Sequence, residues 1–264
     1  VFALAMFVFC FKCTEERVAV MEDADSEEKI SFAEAFKLAV KNKYWVIIVF
    51  AALFLITGQT VSGTVATYYA KYILNNENIV GVINALNFAP ALILIPCLPK
   101  ITEKIGKRNI SLLGGILGVA GQILLFASPE SNMWIIICSL IKGIGSVMIM
   151  GTIFAMIADT IEYGEWKTGK RIEAVLYSAA SFGTKVGGGI GGAVALKILG
   201  AAGYDGTAAV QTEAAMMAIR NIYLCVTLGI MIFIPILFAL YKLDKIYPTV
   251  ISDLLKKEER QGGK

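Results

Sequence analysis

AVLYSAASFGTKVGGGIGGAVALKIL, residues Ala174–Leu199, carries only two charges, Lys185 and Lys197. A helix crosses a bilayer in about 20 residues, so this glycine-laced run is long enough to span one. Lys185 then lies roughly 17 Å along the helix from Ala174, at about 1.5 Å per residue. That is close to mid-membrane, where a lysine costs about 2.5–3.5 kcal/mol to insert. Its stem is too short to snorkel out, so the ammonium is expected to face a wet cavity or a carboxylate. A structural ion pair and a transport pathway both satisfy that requirement, and intramembrane ionisable groups point to function by default.

The same pattern recurs outward from this run. Uncharged blocks occupy Tyr44–Ala70, Asn78–Pro99, Ile110–Ser128 and Asn221–Tyr241, and Met133–Ala158 is broken only by Lys142. Hydrophobic residues make up 57% of the 264-residue chain and charged ones 17%, against roughly a quarter charged in soluble domains. The blocks lack the polar face that a soluble helix needs. The chain therefore reads as a polytopic membrane protein with six crossings.

A net charge of +3 is too small to argue for nucleic acid, but its placement is informative. Six basic residues lie between Lys12 and Lys43, and only Lys71 follows in the next connection. Lys100, Lys104, Lys107 and Arg108 come next, then none in Ser128–Asn132. Lys167, Lys170 and Arg171 follow, then Arg220 alone, then a basic tail from Lys242. Rich and poor connections alternate, as the positive-inside rule requires, so both ends are expected to be cytoplasmic.

The expected organisation has four parts. Residues 1–11 read as the last turns of an upstream transmembrane helix, which implies a missing preceding part. Residues 12–43 form a cytoplasmic middle loop, with a polar linker from Glu15 to Lys29. In that loop Ser31 and Glu34 spell a capping box, opening a short surface helix with Phe32, Phe36 and Val40 on one face. Residues 44–241 form the six-helix bundle. Residues 242–264 form a cytoplasmic tail with Ile251, Leu254 and Leu255 on one side of an amphipathic helix.

Several motifs reduce to membrane packing or to nothing. Gly187, Gly189 and Gly192 match a dinucleotide fingerprint, but no strand or βαβ unit surrounds them. They read instead with Gly188 and Gly191 as small-xxx-small pairs that let helix backbones approach. Gly114, Gly118 and Gly121, and Gly143, Gly145 and Gly151, repeat this device. Such stripes serve packing, or helices that slide against each other. The spelling of a glycosylation site at Asn109–Ser111 falls on the cytoplasmic side. Cys10 and Cys13 form a C-x-x-C with no partner ligands nearby, so neither a metal nor a cofactor is expected. Histidine is absent, which excludes His-based catalysis and proton relays, and an enzyme is not expected.

Lys142 raises the question posed by Lys185, with snorkelling as its alternative. No span contains Asp or Glu, so the carboxylates for a buried cation are expected from outside this chain. Gln59, Thr60, Tyr68, Asn84, Asn87 and Ser181 are further polar groups inside spans, serving either interhelical hydrogen bonds or ligand contact. Tyr72 and Trp134 read as interface anchors. Between the fourth and fifth spans, Asp159, Glu162 and Glu165 precede Lys167, Lys170 and Arg171, with Glu173 at the re-entry. Exposed pairs worth about 0–1 kcal/mol each suit a gate that opens and closes.

The stretch IADTIEYGEWKTGKRIEAVLYSAASFGTKVGGGIGG (Ile157–Gly192) resembles the glycoside-pentoside-hexuronide:cation symporters. These are relatives of the melibiose carrier in the major facilitator superfamily. TEER (Thr14–Arg17), LPKITEKIGKRN (Leu98–Asn109) and YKLDKIYPTVISDL (Tyr241–Leu254) extend the likeness over the whole chain. The resemblance implies an all-α membrane protein, the C-terminal six-transmembrane-helix half of a major facilitator superfamily transporter. It implies cation-coupled sugar or glycoside symport by alternating access. Partners would be the sugar, Na+ or H+, the inner-membrane bilayer and a missing N-terminal half holding most of the cation site. By position, Lys185 matches the cation-coupling lysine, and Ser181 and Thr184 match the sugar-lining face of that helix. Asp159, Arg171 and Glu173 match the cytoplasmic gating network. Met150 stands where the melibiose carrier has a sugar-packing tryptophan, a departure from galactoside recognition. Lys142 lies outside the melibiose pattern and suggests a counter-charge for a carboxylated substrate. The rival from another class is a transporter-like sensor or scaffold.

Overall fold

The computed structural model describes residues 2–13, 31–208 and 210–262, and among them there is helix but no strand. The expected linker Glu15–Lys29 and the TEER motif lie outside the described residues. Helix α1 spans Phe2–Cys13 and α2 spans Phe32–Lys41. The bundle follows as α3 (Lys43–Tyr72), α4 (Ile79–Phe88), α5 (Ala91–Ile105), α6 (Lys107–Leu124), α7 (Asn132–Thr168), α8 (Glu173–Ala201), α9 (Glu213–Asn221) and α10 (Thr227–Leu240). Helix α11 (Tyr247–Gly262) closes the chain.

Five of these helical stretches are long and apolar enough to cross a membrane, with α4–α5 and α9–α10 each counting as one. Helix α8 matches them in length, at 29 residues, but its glycines and two lysines lower its hydropathy. The chain is a multi-pass membrane protein. Lys107, Arg108, Lys167, Lys170 and Arg171 all fall at one end of the bundle, called the basic end below.

Three spans depart from their sequence boundaries, each for a local reason. Asn78–Pro99 breaks between Phe88 and Ala91, because Pro90 offers no N–H to continue the ladder. Arg220 belongs to the last turn of α9 rather than to a loop. Between α9 and α10 the residues Ile222–Val226 wind as a π-helix. Asp159–Thr168, read from the sequence as loop, continues α7 to 37 residues. At ~1.5 Å per residue that is roughly 55 Å, well beyond the ~30 Å hydrocarbon core, so the charged last turns project from it. Gly169 ends α7 with φ 70°, a left-handed geometry that suits glycine.

Packing pairs α6 with α7 and α3 with α8, while α10 lies against α3 and α6, and α4 and α5 lie on α7. Glycine sets the closest approaches. A Cβ on Gly187 would stand 2.8 Å from the Leu53 carbonyl oxygen, and one on Gly191 2.8 Å from that of Thr57. Gly188 and Gly192 are looser, at 3.8 and 4.0 Å from Thr60. Gly114 and Gly145 face each other, so a Cβ on Gly114 would come 2.6 Å from the Gly145 carbonyl. The Thr57 hydroxyl donates to Gly187 O at 3.1 Å across the α3–α8 contact.

Two apolar clusters divide the bundle along its length. One gathers Tyr44, Trp45, Ile48, Met156, Leu176 and Phe238 towards the basic end. The other gathers Val61, Tyr69, Ile135, Leu199, Ile219 and Tyr223 towards the opposite end.

At the basic end, α2 turns Ala35 and Ala39 inward and leaves Phe36 and Val40 exposed. The capping box is not formed, since the Ser31 side chain makes no cap hydrogen bond. Glu34 pairs instead with Lys170 at 3.0 Å. On α11 the inward residues are Val250 and Leu254, while Leu255 is exposed.

Gly145→Ala is predicted to destabilise the protein by about 1–3 kcal/mol, the usual range for overpacking. Gly189→Ala, whose Cβ would meet nothing within 4 Å, should leave the melting midpoint in detergent unchanged or slightly raised. Equal midpoints for the two variants would contradict the glycine contact as a packing constraint.

Candidate functional site

The level between the two apolar clusters is polar. It holds Thr57 and Gln59 on α3, Gln122 on α6, Lys142 and Ser146 on α7, and Thr227 at the start of α10. A cavity of about 160 Å³ opens there, lined by Gln59, Ser62, Asn84, Asn87, Lys142 and Ser146 among its polar groups. Four of the sequence-expected residues, Gln59, Asn84, Asn87 and Lys142, thus converge from three helices. Asn87 also donates to Ile83 O at 3.0 Å within α4.

Lys142 is 4% exposed, so it does not snorkel. Its Nζ donates to Gln122 Oε1 at 2.9 Å and stands 5.3 Å from the centre of the Tyr223 ring. Within this chain an amide oxygen and an aromatic face hold the cation, and no ion pair reaches it among the described residues. Gln122 in turn donates through Nε2 to Tyr223 O at 2.6 Å and Leu224 O at 3.1 Å. Those carbonyls belong to the π-helix, whose wider turn interrupts the regular ladder. The sequence reading passed over Gln122, Ser62, Ser146 and Tyr223. Gln122 was detectable as a lone amide in an otherwise apolar span, whereas the π-helix has no residue signature.

A second cavity, about 100 Å³, brings Met150, Ser181 and Thr184 together among Leu55, Phe154 and Tyr177. It is almost wholly apolar, and Thr184 Oγ1 turns back to Ser181 O at 2.7 Å. Lys185 lines neither cavity. It is exposed on α8, and no ion pair reaches it among the described residues. Tyr68 also stands apart, edge-on to Tyr204 with ring centres 5.0 Å apart, beyond the far end of α8.

The charges of the α7 extension form a network at the basic end. Arg171 bridges Glu165 at 3.2 Å and Glu173 at 2.9 Å. The hydrogen bond that Arg171 donates to Glu173 leads in holding the guanidinium pKa above its ordinary value. Asp159 is not part of that cluster. It takes two hydrogen bonds from Lys107 Nζ, at 2.6 and 2.8 Å, joining α7 to α6. Glu162 accepts from the Tyr247 hydroxyl. Burial, then that hydrogen bond, push the Tyr247 phenol above its usual range. Trp166 Nε1 donates to Asp253 at 3.1 Å, so α11 is fastened to α7 twice. Arg108 donates to the carbonyls of Phe238 and Ala239 at the end of α10.

Lys107 and Asp159 have side chains 31% and 5% exposed, so this pair carries more than a surface bridge. Asp159→Asn is predicted to destabilise the protein by about 1.5–3 kcal/mol, the range for a hydrogen bond to a charged group. Glu165→Gln should cost under about 1 kcal/mol. Chemical denaturation of both variants in the same detergent ranks them, and the reverse order would contradict the asymmetry.

Comparison with known proteins agrees with this architecture. A family model described as MFS/sugar transport protein matches residues 1–245. The isoprimeverose transporter of Lactiplantibacillus pentosus is 34% identical over 263 residues, 99% of this chain and 54% of that protein. An uncharacterized symporter of Bacillus subtilis, YnaJ, is 32% identical over 96% of this chain and 54% of its own. The glucuronide carrier protein homolog of Escherichia coli is 30% identical over 98% of this chain and 56% of its own. The chain spans about half the length of these relatives. Helical architecture, apolar spans and sequence similarity agree: this chain belongs to the MFS/sugar transport family, as one half of its fold.

Proposed function

We propose that the chain is the C-terminal half of a secondary active transporter that moves a sugar or glycoside by alternating access. The observation that carries this reading is the mid-depth cavity, where Gln59, Asn84 and Asn87 present amides between two apolar clusters. Amides both donate and accept, as sugar hydroxyls do, and hydrocarbon packing alone gives no reason to gather them. Similarity to an isoprimeverose transporter and a glucuronide carrier homolog supports the same substrate class.

Coupling to Na+ or H+ is assigned to an acidic site outside this chain, with Lys185 as its electrostatic link. The support is its exposed position near the middle of α8 without an ion pair among the described residues. An adjoining six-helix half would cover that face and bring a carboxylate to it. The pairs around Arg171 and the bond between Glu162 and Tyr247 form the cytoplasmic gate, broken and remade as the cavity opens. The alternation of basic and poor connections supports an inner-membrane location with both ends in the cytoplasm.

Counterflow of labelled glycosides in proteoliposomes of the full-length protein tests transport itself, and its absence would favour a sensor or scaffold. In the same preparation, Lys185→Gln is predicted to lower cation-driven uptake at least tenfold while counterflow persists. Retention of gradient-driven uptake would remove the coupling role.

A further inference from the structure

We propose that the cavity at Lys142 is an anion subsite, which receives a carboxylate or sulfonate substituent of the transported sugar. This rests on the sugar-transport reading above and deepens it. Lys142 is the one charged residue among those lining the cavity, and the spans around it contain no Asp or Glu. The site therefore has a net positive charge at a depth where water is scarce. An ammonium has three donors, of which Gln122 takes one, and the Tyr223 ring attends another face. These neutral partners make the charge tolerable without neutralising it. A buried charge gains most from an opposite charge with good geometry, and an incoming oxyanion supplies one.

The surroundings fit that ligand. Ser62, Ser146, Gln59 and Asn84 line the same space and can donate to a second oxygen or to ring hydroxyls. The ammonium is also fixed in advance. Gln122 is locked by two hydrogen bonds to π-helix carbonyls, so its oxygen holds Nζ in one place, and such preorganisation favours binding.

Methyl β-D-glucuronide and methyl β-D-glucoside differ only in carrying a carboxylate or a hydroxymethyl group, and they are the probes. Their dissociation constants are measured on the full-length protein in detergent, by calorimetry or by ligand-dependent thermal shift. The expected result is a glucuronide preference of about 10- to 100-fold, as one charge-assisted hydrogen bond provides. In Lys142→Met the ratio should fall to near one. If that variant does not fold, Lys142→Arg replaces it, where the displaced charge should change the ratio by several-fold. Equal affinity for both probes in the parent, or a ratio untouched by substitution, overturns the anion subsite and leaves sugar transport standing. A ratio near one would also result if a carboxylate from elsewhere in the protein already occupied Lys142. Binding of neither probe, with no sugar exchanged in counterflow, removes the transport reading and this inference with it.

Discussion

The Lys142 ammonium is the constraint around which the middle of this bundle is arranged. In hydrocarbon, every polar group has to find its partner within the protein, and a charge is the most demanding case. Gln122 crosses from α6 to meet it, and the same amide satisfies two carbonyls of the π-helix between α9 and α10. One hydrogen-bonded chain thereby joins α6, α7 and the entry to α10. An apolar residue in place of Gln122 would strand both the ammonium and the two carbonyls. This is why the polar level can exist between clusters of Ile, Leu, Tyr and Phe without weakening the packing on either side.

Close backbone contact is the complementary device. Without a hydrophobic effect between helices in lipid, association depends on dispersion and interhelical hydrogen bonds. Gly187 and Gly191 bring α8 within reach of α3, and Thr57 then donates across the seam. Gly114 and Gly145 do the same for α6 and α7. The resulting helix pairs are closely packed, while α4 and α5, interrupted at Pro90 and resting on α7, form a lighter outer layer. The cavity lies between α3, α4 and α7, so movement of α4 would change its width.

At the basic end the chemistry changes because water is available. The extension of α7 carries its acids outward, where each finds a different neighbour: Lys107 on α6, Tyr247 on α11, Arg171 before α8. Most of these pairs are partly solvated, and screening keeps each one weak. Together they tie the connecting segments to one helix, while the more deeply buried Lys107–Asp159 contact anchors the network.

Much of this protein was legible in its sequence. Uncharged runs marked where the membrane helices lie, because hydrocarbon excludes charge, although three of those runs have different ends or breaks in the structure. Basic residues in alternate connections marked one end, and the glycine spacing named the close contacts at Gly187 and Gly191. Residue type also marked Gln59, Asn84, Asn87 and Lys142 as out of place among apolar neighbours. Only the tertiary structure decided that these four share a cavity while Ser181 and Thr184 line another and Lys185 neither. Helix rotation and pairing settle such questions, and they depend on contacts between residues far apart in the chain. The helical course of Asp159–Thr168 was hidden because charge mimics a loop, and the π-helix at Ile222–Val226 because carbonyl partners across the bundle create it. Lys142 shows the division most clearly: composition placed a charge in the membrane, and only folding supplied the amide and the ring that let it stay.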